Sequence, residues 1–112
     1  MKRLATVLLA LAILAPSAQA GTKLTVDQRV RKHIRLNWTA DWREKQALKV
    51  GTCESGLNPW AKSPAGHWGV FQMGEYERSI TRWRWRIKSQ IRAAKRYWVL
   101  TGRDWGAWSC QP

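Results

Sequence analysis

Val50-Gly51-Thr52-Cys53-Glu54-Ser55-Gly56-Leu57-Asn58-Pro59-Trp60-Ala61-Lys62-Ser63, continued by Gly66-His67-Trp68-Gly69-Val70-Phe71-Gln72, is where an amphipathic helix runs out into a long loop. The helix is expected to begin near Thr39 or Asp41 and to carry Ala40, Ala47 and Val50 on one face. Glu54 lies four residues beyond Val50, so it projects from that apolar face at the C-terminal end. Only seven residues of the chain are acidic, and this one is set among aromatic, small and turn-forming residues. The placement predicts a buried carboxyl at the mouth of a loop.

From Ser55 to Gly74 the composition turns to Gly, Pro, Ser and Asn with interspersed Trp and Phe, the signature of a structured loop. On either side the chain reads as helix. Thr25-x-x-Gln28 is a capping box, and Val26, Val30, Ile34 and Trp38 follow at helical spacing. Downstream, Tyr76, Ile80, Trp83, Ile87, Ile91, Ala94 and Trp98 step by three or four and predict one continuous helix, stopped by Gly102 at C′. Trp85 falls off that stripe, among Arg82, Arg84 and Arg86.

The N-terminus bears on compartment. Lys2 and Arg3 precede an apolar run from Leu4 to Ala15, and Ala18-Gln19-Ala20 has the small-x-small form of a cleavage site. Residues 1–20 therefore read as a secretory signal peptide and 21–112 as one domain, exported to the periplasm or outside the cell. A domain of that size has a marginal core, and in an exported chain Cys53 and Cys110 are expected to pair as its staple. Neither cysteine has metal or redox spacing, so no metal and no cofactor is expected.

The formal charge of +13 falls to +11 without Lys2 and Arg3. Such a field attracts polyanions, and for an exported monomer these are cell-wall polymers and anionic headgroups. No specific nucleic-acid partner is expected, because no nucleic-acid motif is present.

A carboxyl works as a general acid when desolvation keeps its proton in place near the working pH. Trp60, Trp68 and Phe71 are the residues expected to surround Glu54. Ser55, Ser63 and Gln72 add hydroxyl and amide groups suited to sugars, and indole faces complement the apolar faces of sugar rings.

Taken together, Glu54-Ser55-x-x-x-Pro59-x-Ala61-x-Ser63-x-x-Gly66-x-x-Gly69-x-x-Gln72 resembles the catalytic signature of the soluble lytic transglycosylases of the lysozyme superfamily, with every spacing preserved. Gln90-Ile91-x-x-Ala94-x-x-Tyr97-Trp98 is similar to that family's following helix motif. The resemblance implies a mainly α, small lysozyme-like domain whose catalytic loop follows the second mature helix. It implies that Glu54 is the single acid/base for the bond between N-acetylmuramic acid and N-acetylglucosamine in peptidoglycan. Ser55, Ser63, Trp68, Phe71, Gln72 and Tyr97 would line the saccharide groove. The family's downstream Ala-Tyr-Asn-Ala-Gly motif is missing, and Trp105 or Trp108 is expected on that side of the groove. His67 stands where the family has Ala and reads as an exposed loop residue. The alternatives are a muramidase-type hydrolase, which would usually need a second carboxylate, with Glu75, Glu77 and Asp104 the downstream candidates, and a non-catalytic wall or membrane binder acting through Trp83-Arg84-Trp85-Arg86.

Overall fold

A computed structural model describes residues 22–112; the expected signal peptide lies outside the described residues. The described residues are mainly α, with four helices among them: α1 (Val26–Asn37), α2 (Asp41–Ser55), α3 (Glu75–Ile80) and α4 (Ile87–Leu100). No described helix is long and apolar enough to cross a membrane.

The capping box opens α1: the Thr25 hydroxyl accepts from the Gln28 N–H at 3.1 Å while the Gln28 side chain accepts from the Thr25 N–H at 2.9 Å. The same helix buries Val30 and Ile34, and Trp38 just beyond its end is fully buried. Its main partner is α4, which buries Gln90, Ile91, Ala93, Ala94 and Trp98. Trp38, Phe71, Trp98, Trp105 and Trp108 form the aromatic centre of the core, with Trp38 in ring contact with three of the others at 5.4–6.1 Å.

Ala47, Val50 and Gly51 form the buried side of α2, whereas Ala40 is its exposed N-cap. Gly51 has a steric reason: a Cβ there would meet Leu57 at 3.0 Å and Val70 at 3.1 Å, so the loop closes against bare backbone. Gly56 ends the helix in the left-handed conformation, φ +63°.

The expected continuous helix from Tyr76 to Trp98 is two helices. Arg82 takes a left-handed φ of +57°, and residues 81–86 form a turn and an irregular, bent connection. The physical reason is the period of Trp83-Arg84-Trp85-Arg86: alternation of apolar and charged residues fits extended backbone, whose successive side chains face opposite ways. Both indoles pack inward on Trp68, Trp83 at 5.8 Å and Trp85 at 5.0 Å, while Arg84 and Arg86 stay in solvent. Tyr76 and Ile80, expected on the buried stripe, are 67% and 41% exposed.

The C-terminus of α4 follows the expected stop. Gly102 (φ +93°) donates to Val99 and Arg103 donates to Trp98, the paired bonds of a Schellman ending. The remaining twelve residues fold back over the core, held by the Cys53–Cys110 disulfide with a Cα–Cα distance of 6.0 Å. Closing a loop of that length contributes about 4 kcal/mol on the chain-entropy estimate.

Candidate active site

The loop between α2 and α3 is built on three tethers. Ser55 Oγ donates to the Val70 carbonyl at 2.7 Å and accepts from the Asn58 N–H at 3.1 Å. Buried Gln90 reaches from α4: its Oε1 accepts from the Val70 N–H at 2.8 Å, and its Nε2 donates to the carbonyls of Pro59 at 2.9 Å and Trp85 at 3.1 Å. Gly69 (φ +81°) makes room for that amide, since a Cβ there would sit 2.4 Å from Gln90 Oε1. Arg78 of α3 supplies the third tether. Its guanidinium lies 3.7 Å from the Trp68 ring centroid, and Nη1 donates to the Gly66 and Met73 carbonyls, both at 2.6 Å.

What these tethers shape is a small cleft, about 340 Å³ when the space open to solvent is included. Glu54, in the last turn of α2, forms one wall. Its carboxylate is half-buried and accepts from the backbone N–H of Cys110 at 3.0 Å. The disulfide joins the residue before Glu54 to the residue that donates to it, so the covalent staple also fixes the carboxylate's partner.

Opposite elements bring Glu77 from α3 and Tyr97 from α4 to the same cleft. Tyr97 packs edge-on against Trp108 at 5.5 Å. Burial first, then the Glu77 and Tyr76 charges, push its phenol up, so the hydroxyl is a donor at neutral pH. Among the described residues it has no protein acceptor. Gln72 (φ +48°) is strained into the left-handed region; Nε2 donates to Gly69 and Ala61 carbonyls, which leaves its amide oxygen for the cleft. A carboxyl, a phenol donor and an amide acceptor around one small cavity can give a proton to, and orient, an oxygen-rich ligand.

Of the residues expected at the site, Glu54, Gln72, Tyr97 and Trp108 line the cleft. Ser55, Ser63, Trp68, Phe71 and Trp105 do not. Ser55 holds the loop, and Ser63 Oγ accepts from the His67 N–H at 3.2 Å. Trp68 is stacked between Arg78 and Trp85, while the Phe71 and Trp105 rings are core, 5.9 Å apart. Phe71 reaches the wall only through its carbonyl, which accepts from Trp108 Nε1 at 3.0 Å. Trp60, expected beside Glu54, lies in a different groove and is 55% exposed. Glu54 is therefore partly open, with a backbone donor, and is not sealed among indoles.

Sequence reasoning missed Gln90 and Arg78 as shapers of the site, and of the three downstream acids Glu75, Glu77 and Asp104 that could supply a second carboxylate, Glu77 is the one in the cleft. Gln90 had a signal, a polar residue set on the apolar stripe of α4 beside Ile91 and Ala94. The helix dipole also accounts for acids in the first turn of α3, so the residues alone did not single out Glu77. His67 is exposed, as expected, and lies at the cleft's edge. No protein-family model, curated protein or solved structure matches this chain.

Proposed function

We propose that the chain is an exported, lysozyme-like enzyme that cleaves the β-1,4 bond between N-acetylmuramic acid and N-acetylglucosamine in peptidoglycan, as a lytic transglycosylase. The observation that carries the reading is Glu54: the one carboxylate placed by the signature-like stretch stands in a cleft, held by the Cys110 N–H and faced by Tyr97 and Gln72. Glu54 protonates the glycosidic oxygen as the bond to C1 breaks. It then takes the proton of the muramyl C6 hydroxyl as that oxygen closes on C1, so the carboxyl ends as it began and no water is consumed. Tyr97 donates to a sugar or amide oxygen and Gln72 accepts from a hydroxyl, which together orient the ring. The Trp108 indole, only 7% exposed, closes the side from which water would compete.

Hydrolysis is favoured by one observation, the presence of Glu77 in the same cleft. A second carboxylate can activate water or bind the sugar cation. The two readings differ by one water in the product. Mass analysis of fragments released from purified sacculi should show 1,6-anhydromuramic ends that persist in Glu77→Gln. Hydrated reducing ends alone, lost in Glu77→Gln, would replace the transglycosylase with a muramidase; no released fragments would remove both.

A further inference from the structure

A second concavity, of about 990 Å³ with its open space, runs between the middle of α1, the N-terminal end of α4 and Trp60 in the first part of the α2–α3 loop. It shares no lining residue with the Glu54 cleft. Trp60 stands in it more than half exposed, unusual for so large an apolar side chain, and Trp85 lies beside it with one face already stacked on Trp68. Arg29 and His33 come from one face of α1; Arg86 and Lys88 come from the start of α4.

The groove has cations and no carboxylate in its lining. Among the described residues the single ion pair joins Arg31 to Asp27, so Arg29, Arg86 and Lys88 are not neutralised by a neighbour. Their convergence is felt by His33, whose imidazole is held below its ordinary range by burial first and then by Lys32, Lys88, Arg29 and Arg92. Like charges gathered without counter-charge, beside a solvent-facing indole, match a ligand that carries acidic groups and a flat or ring-shaped body. A concave groove suits a strand lying in it, whereas a bilayer needs a protruding apolar surface; Trp83 is buried and Trp85 stacked, so neither can insert.

We propose that this groove is a second polymer-binding site, for an acidic polysaccharide strand whose sugar ring stacks on Trp60 while its carboxylate or phosphate groups pair with Arg29, Arg86 and Lys88. The choice of a glycan over other polyanions rests on the wall-enzyme reading above. The site would hold an anionic wall strand while the Glu54 cleft works on its own substrate, which gives the charge of the chain a defined address.

The full chain and its variants are measured by affinity electrophoresis and by titration against alginate, uncharged dextran, poly-glutamate, oligo-dT and phosphatidylglycerol vesicles. Alginate should bind, with an affinity that falls as salt rises. Trp60→Ala should weaken it about tenfold, in the range of one aromatic stacking contact. Lys88→Glu and Arg29→Glu should each weaken it at least as much, with unchanged circular dichroism. Poly-glutamate binding should respond to the charge reversals and not to Trp60→Ala. Alginate binding indifferent to Trp60→Ala overturns the site, and tighter Trp60-dependent binding of oligo-dT or of vesicles reassigns it to nucleic acid or membrane. Glu54→Gln should bind alginate like the wild type, so this proposal and the catalytic one can fail separately.

Discussion

Replacing Gln90 by Met tests how the catalytic loop is held. The side chain is 2% exposed and of similar length to Met, so the change removes polar atoms with little change in volume. Three hydrogen bonds go with it, to the Val70 N–H and the Pro59 and Trp85 carbonyls. Each contributes about 1 kcal/mol net, and a buried group left without a partner costs about 1–3 kcal/mol. The Val70 N–H and the Pro59 carbonyl are the dominant losses, because both residues are fully buried and water cannot replace the lost partner. Added apolar contact from the Met offsets part of this, which leaves a destabilisation of about 3 kcal/mol. For a domain of this size that is a fall in Tm of roughly 12–24 °C. Urea denaturation at equilibrium, followed by tryptophan fluorescence and circular dichroism together, gives the number directly. A Gln90→Met protein within about 0.5 kcal/mol of wild type would refute the claim that this amide anchors the loop, that being the range of ordinary surface changes.

Glu54→Gln should keep the fold and lower fragment release from sacculi by at least about a hundredfold, the loss typical of a missing acid/base; near-normal release by a folded variant would end the single-acid reading. Reducing the Cys53–Cys110 bridge should lower Tm and also release, because the Cys110 N–H leaves Glu54; mass spectrometry with and without alkylation shows the state of the thiols, and a reduced protein as stable and active as the oxidised one would contradict it. His33 is disfavoured as a cation in the folded state, so its folded pKa lies below the ordinary 6.5. Its contribution to stability is present above about pH 6.5 and is lost as pH falls through the lowered value; His33→Asn should flatten that part of the stability profile, and an unchanged slope would show that neither burial nor the neighbouring cations disfavour its charged form.

The local features were legible in the residues because they rest on short-range chemistry. The Thr25 capping box, the buried face of Val30, Ile34 and Trp38, the Gly102 stop and the exposure of His67 follow from spacing and backbone preference alone. The pairing of Cys53 with Cys110 was legible too, since an exported chain with two cysteines has one way to join them. The break between α3 and α4 was not legible in the three-and-four stepping, since Ile80, Trp83 and Ile87 satisfy a helical period while Trp83 and Trp85 satisfy an extended one. The decision came from Trp68, 15 and 17 residues earlier than the two indoles that pack on it. Nine tryptophans can be counted in the sequence, but which of them are core, loop clamp, cleft wall or exposed face depends on what each meets across the chain. Tertiary packing alone chose Glu77 over Glu75 and Asp104 for the cleft, turned the Cys110 N–H onto the Glu54 carboxylate and put Gln90 under the loop, because hydrogen bonds and burial between distant segments have no periodicity to read.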